Sequence, residues 1–198
     1  MRKKLIQLMT AILLPLAVNA QEKQEGHLKF KGVEIKNSAE YLKKALCEKG
    51  FKEKDNLTLV GQFAGYDTET TILVSEQGTP YAVSTKLPAR KKWNEVEEDY
   101  NLFKNNITKK YGAPFGRQEE FLAPYTKGDG FEERAFASNK ANYYCLWSLP
   151  NGTIEIKINA KFKSHINSYD MFLTITYTDR TGLETTRSMK EKQFIEDL

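Results

Sequence analysis

The sequence predicts an α+β fold, an antiparallel sheet with two main helices packed on one face. Two observations carry this expectation. Runs of alternating apolar and polar residues recur in groups of three, with turn signals at Glu76-Gln77-Gly78-Thr79 and at Pro150-Asn151-Gly152. Two other segments, starting near Ala39 and Trp93, instead repeat their apolar residues at helical spacing. A period of two marks half-buried strands and a period near 3.6 marks amphipathic helices.

The elements follow in order. "HLKFKGVEI" alternates Leu28 and Phe30 with Lys29 and Lys31 and reads as a first strand. Asn37-Ser38 supplies an N-cap, after which Ala39, Leu42, Ala45 and Leu46 form one stripe and Gly50 closes the helix. "LTLVGQFAGY" (57–66) reads as a strand with Gly61 and Gly65 as a bulge or tight bend. "TTILVS" and "YAVSTKL" flank a hairpin loop of four or five residues.

"WNEVEEDYNLFKNNITKKYGAP" (93–114) is the most patterned stretch. Trp93, Val96, Tyr100, Phe103, Ile107 and Tyr111 lie on one arc, and Gly112 and Pro114 stop the helix. Glu95, Glu97, Glu98 and Asp99 fall mostly on the opposite arc near the N-terminal end, where carboxylates favour the macrodipole. They read as a solvated face and not as a buried acid pair.

Residues 113–141, rich in Gly, Pro and charge, read as a long irregular loop with one short strand around Phe131 to Phe136. "NYYCLWSL", "TIEIKINAKF" and "MFLTITYTD" are the last strands, with a loop at His165 to Tyr169, and the tail from Thr186 reads as a frayed helix. Each main helix is thus followed by three strands, the layout of an α-βββ pseudo-repeat with halves 27–90 and 91–198. Residue identity between the halves is too low to establish duplication.

The N-terminus bears on compartment. Arg2, Lys3 and Lys4 precede an apolar core from Leu5 to Val18, and Val18-Asn19-Ala20 is a small-residue cleavage site. Residues 1–20 read as a signal peptide and 21–198 as one domain. A spanning helix needs about 20 apolar residues, and Gln7, Thr10 and Pro15 interrupt this run. Gln21 occupies the place where a lipoprotein would carry Cys. Residues 1–20 hold three of the 30 bases and none of the 26 acids, so the mature chain is nearly neutral. Its longest basic run, "ARKK" at 89–92, is too short for a nucleic-acid footprint. The expected setting is the periplasm or the exterior, with no membrane span after cleavage.

Recognised chemistry is sparse. No CxxC, HExxH, calcium-loop, G-x-S-x-G, P-loop or dinucleotide pattern occurs, and no cofactor is expected. Lys127-Gly128-Asp129-Gly130 with Glu132 and Glu133 comes nearest to a calcium loop, but its spacing fits a turn. Cys47 and Cys145 enter an oxidising compartment, and the sequence leaves open whether they bridge. Cys145 with His165 is a formal nucleophile and base pair, yet Cys145 stands in mid-strand among Tyr144, Leu146 and Trp147.

The words "LVGQFAGY", "WNEVEEDYNLFKNNITKKYGAP", "NGTIEIKI" and "ITYTD", in that order, resemble a set of secreted Bacteroidetes proteins with no assigned activity. The layout is also similar to the helix-plus-meander modules of β-lactamase-inhibitor-like proteins. The resemblance implies an exported α+β domain and brings no catalytic residues with it.

The function expected from these readings is non-enzymatic binding of a protein or glycan of the cell envelope. It would use a sheet face together with the 113–141 loop. Tyr143, Tyr144, Trp147, Phe162, Phe172 and Tyr177 lie on strands, and alternation puts Tyr143 and Trp147 on one face and Tyr144 on the other, one face packing on the helices. Loops carry specificity on a regular scaffold, and aromatics and Arg dominate binding hot spots. Phe121, Tyr125, Lys127, Phe131 and Arg134 are therefore the candidate binding residues. The alternative is a secreted hydrolase whose carboxylates assemble only in space.

Overall fold

The structure is a computed structural model that describes residues 26–163 and 168–196. The leader at 1–20 lies outside the described residues, as does most of the loop expected at His165, including His165 itself. The fold is α+β, built on an eight-stranded antiparallel sheet.

The first described elements form a separate two-stranded hairpin, β1 (Lys29–Phe30) and β2 (Val33–Glu34). The expected single first strand is therefore folded back on itself. Lys31 (φ 51°) and Gly32 (φ 81°) turn the chain in left-handed backbone, which brings Phe30 opposite Val33. α1 (Ala39–Glu48) follows, with the Ser38 side chain accepting the Tyr41 amide as an N-cap. Leu42 and Leu46 are fully buried.

Next come β3 (Lys52–Glu53), β4 (Thr58–Phe63), β5 (Tyr66–Val74) and β6 (Pro80–Lys86). The 57–66 run is not one strand. Ala64 (φ 51°) and Gly65 (φ 87°) form a two-residue turn, so Phe63 faces Tyr66 across a hairpin. A single strand cannot continue through two consecutive left-handed residues. Gly61 has a different role: the Phe51 ring lies where its Cβ would be, 2.6 Å from that position.

α2 (Trp93–Tyr111) buries Val96, Tyr100, Phe103 and Ile107, the arc expected of it. Asp99 departs from the expected solvated face. It is buried, bonded by the Arg90 guanidinium at 2.8 Å and by the Tyr66 hydroxyl at 2.8 Å. The helical wheel placed it near the edge of the stripe; only the approach of Arg90 and Tyr66 makes burial tolerable, since a buried charge needs a partner.

The stretch 113–141 is also not an irregular loop. It contains β7 (Gly116–Phe121), which pairs with β8 (Ala141–Leu149), and a short helix α3 (Glu132–Ala137) where a strand was expected. The polar "GRQEEF" forms a strand because it is an edge strand, with one partner and a wet outer side, where charge is normal. α3 forms because Ala135 and Phe136 dock on the core, a tertiary gain that short-range periodicity does not register.

β8, β9 (Gly152–Lys163) and β10 (Ser168–Asp179) complete the sheet, whose order is β3-β4-β5-β6-β10-β9-β8-β7. The two-residue Pro150-Asn151 connection between β8 and β9 is the expected hairpin. α4 (Arg180–Glu196) follows β10 directly, starting six residues before the expected tail helix. Among the described residues no helix is long and apolar enough to cross a membrane.

Two apolar clusters make the core. One gathers α2 and α3 against β8, β9 and β10 around Trp147, Ile154, Ile156 and Ile175. The other gathers the N-terminal hairpin and α1 against Leu59, Ile72 and Val83. Phe63 and Tyr177 touch both, so the clusters are continuous. Burying a side chain such as Trp147 or Ile156 contributes about 1.5–3 kcal/mol each.

Candidate functional site

Strand register sorts the sheet's side chains into two rows. Leu59, Thr70, Thr85, Ile175, Ile156 and Cys145 are connected by cross-strand pairing and are all buried. The intervening positions, connected in the same way, are Val60, Glu69, Lys86, Thr174, Lys157, Tyr144 and Gln118. These keep solvent access along the row. Successive side chains of a strand point to opposite faces, so the second row is the outward face of the sheet.

The outward face carries hydroxyls and amides beside its charged groups. Ser84 and Thr176 bond across β6 and β10 at 3.0 Å, and Asn159 donates to Thr174 Oγ1 at 3.0 Å. Tyr144 and Phe172 add rings, and the Lys86 ammonium lies 4.7 Å from the centre of the Phe172 ring. Such a surface offers paired donors and acceptors on a rigid frame, with a few aromatic anchors.

At one end the row runs into an open groove of about 1080 Å3. Lys31, Lys49, Lys52 and Lys86 line it together with Asp67, Glu69, Val60 and Leu87. Sequence reading gave no signal for this groove. Its lysines come from the β1–β2 turn, the end of α1, β3 and β6, which only tertiary structure brings together.

The candidate loop residues separate into two groups. Phe121 and Tyr125 pack on the core, Phe121 within contact of Trp93, Phe136 and Tyr143. Lys127, Phe131 and Arg134 remain exposed; Phe131 keeps 51% of its surface in solvent and the Arg134 guanidinium lies 5.6 Å from its ring centre. Lys127 is paired with Glu97 of α2. The loop's carboxylates serve the loop itself: Asp129 accepts the amides of Thr126 and Phe131, and Glu132 accepts that of Gly128. This is the turn expected at Lys127 to Gly130, with Glu132 and Glu133 already in the first turn of α3.

The ionisable groups inside the protein are committed to structure. Tyr100 donates to Glu119 Oε1 at 3.0 Å and lies 3.2 Å from Cys145 Sγ. Lys104 and Arg117 each bond Glu119 at 2.8 Å. Burial alone would push the Glu119 carboxyl up, but the bonds from Lys104 and Tyr100 and the charge of Arg117 hold it below its usual value. Burial pushes the Cys145 thiol up, which disfavours a thiolate. Among the described residues the four buried acids each have partners: Asp99 as described, Glu132 the Gly128 amide, Asp170 Lys163, and Asp179 His27 and two backbone amides.

Cys47 and Cys145 are both free, the first half-buried on α1 and the second buried on β8. Among the described residues no group of three or more His, Cys, Asp or Glu is placed to hold a metal ion. Comparison with known proteins gives no matching family model, no matching curated protein and no matching solved structure.

Proposed function

We propose that the protein is an exported, non-enzymatic binding module that engages a protein or glycan of the cell envelope through the outward face of its sheet. The observation that carries this reading is the outward row itself, a polar array with aromatic members on a rigid eight-stranded frame. Shape and rigidity suit recognition because little conformational entropy is lost on contact. Acid–base chemistry, by contrast, asks for a titratable group with a free working side, and the buried acids here are held by cations or amides.

In this reading the scaffold is a pseudo-repeat. α1 precedes β3 to β6 and α2 precedes β7 to β10, and the last strands of the two runs, β6 and β10, pair antiparallel at the centre of the sheet. Each unit has a leading helix and four strands, one strand more than the sequence layout suggests, and the second unit also inserts α3 between β7 and β8. The cluster memberships of α1 and α2, taken with strand register, support both helices lying on the buried face. Lys127, Phe131 and Arg134 form a smaller contact patch on the α2 side. The protein reaches its partner after cleavage of residues 1–20.

The test is capture from envelope extract by the mature protein, with in-situ cross-linking and mass spectrometry of the attached species. Tyr144→Glu with Thr176→Arg on the outward row should abolish capture while leaving the melting temperature near wild type. Tyr41→Glu, on the far side of α1, should leave capture intact. Retained capture by the outward-row variant would move binding elsewhere on the molecule.

A further inference from the structure

The groove at the end of the outward row carries more information than the row itself. Its lining places Lys31, Lys49, Lys52 and Lys86 around Val60, Leu87, Pro88 and Ala89. Among the described residues Lys49 and Lys52 are exposed and have no ion-pair partner. Lys31 is held in place by donating to the Gln62 carbonyl at 3.2 Å, and Lys86 by the Phe172 ring. So two ammoniums are positioned and two stand free around a partly apolar floor, where Val60 keeps 36% of its surface exposed.

We propose that this groove receives an acidic, partly apolar segment of a partner polypeptide. The inference rests on the reading that the outward face binds and names what it binds at this end. Charge complementarity selects an anionic occupant. The carboxylates decide its class. Asp67 and Glu69 share the lining, Glu69 already bonded by Lys54 at 2.6 Å. A uniformly charged polyanion, such as a sulfated polysaccharide, would bring anions against both. A polypeptide can set Asp or Glu opposite the lysines, a neutral or basic residue opposite Asp67, and an apolar side chain on the exposed Val60. It is the chemistry that satisfies every part of the lining.

The experiment is selection of a random twelve-residue peptide display library on the mature protein, followed by fluorescence anisotropy of the enriched peptides. Enriched peptides should carry acids interspersed with apolar residues. The double substitution Lys49→Glu, Lys52→Glu should weaken them by about tenfold or more, a free-energy change of about 1.4 kcal/mol, with an unchanged melting temperature. Raising salt from about 50 to about 300 mM should weaken them also, as screening of exposed charges requires. Peptides without an acidic excess, or retained by the Lys49/Lys52 variant, overturn the proposal. If such peptides are lost from the Tyr144/Thr176 variant, the outward-face reading survives alone. A heparin fragment that binds more tightly than any selected peptide, and is lost with Lys49 and Lys52, overturns it in favour of a polyanion. No enriched peptide at all also overturns it, and the envelope capture then decides the broader reading separately.

Discussion

His27 and Asp179, 152 positions apart in the chain, meet at 2.9 Å between Nδ1 and Oδ2. The Asp179 carboxylate is 0% exposed and also accepts the Leu28 amide at 2.7 Å and the Gly182 amide at 2.8 Å. One side chain therefore fastens the segment before β1, caps α4 and ends β10. Asn151 adds a bond to the His27 carbonyl and takes the Arg180 amide on its own.

Asp179→Ala should be among the most destabilising single changes. It leaves two buried amides without acceptors, each costing about 1–3 kcal/mol. Urea denaturation should show a loss of about 2–5 kcal/mol, and His27→Ala, at a partly exposed ring, should cost less. Equal losses from both would show that the amide bonds contribute nothing.

Phe103→Ala should cost about 3–5 kcal/mol, as truncation of a buried Phe does. Glu98→Gln, on the exposed arc of the same helix, should change stability by no more than about 0.5 kcal/mol. Asp99→Ala should fall between them, at about 1–3 kcal/mol, because Tyr66 and Arg90 lose a buried acceptor. Denaturant midpoints at constant slope check all three.

Gly152→Ala should destabilise by overpacking, at about 1–3 kcal/mol. A Cβ there would stand 2.1 Å from the Thr178 carbonyl oxygen, which is backbone of the paired strand and cannot rotate away. A melting temperature equal to wild type would contradict the close β9–β10 approach.

Stability should fall at acid pH partly through Glu119. Its carboxyl is held below the 4.5 of a free Glu, so the stabilisation is complete above that value and is lost as pH falls through the lower folded value. Glu119→Gln should make the acid limb of a stability–pH curve shallower. An unchanged limb would remove Glu119 from the account.

Replacing residues 122–132 with a Gly/Ser linker should lower the melting temperature, because Tyr125 packs on the core and Glu132 is buried. Phe131→Ala, which removes an exposed ring, should leave it within about 2 °C, as a change within about 0.5 kcal/mol allows. Thiol labelling under native conditions should modify Cys47 well before Cys145, and intact mass should be the same with and without reductant. Export, tested by intact mass of the secreted or periplasmic species, should give a chain starting at Gln21.

Much of the fold was legible in the sequence, because periodicity and turn chemistry act over a few residues. The stripe Val96, Tyr100, Phe103, Ile107, the Ser38 cap, the hairpins at 75–79 and 150–151 and the α+β class all follow from local rules. What the sequence by itself could not decide depends on who the neighbours are. Asp99 reads as surface until Arg90 and Tyr66 arrive; "GRQEEF" reads as loop until β8 offers it an edge; Phe121 reads as a binding ring until Trp93 and Tyr143 enclose it. The groove lysines lie on four separate elements and share no motif. Local sequence determines which elements form, since each residue's backbone preference and periodic position travel with it. Tertiary structure alone decides which charges are buried and which converge, since those depend on electrostatic and packing partners far away in the chain.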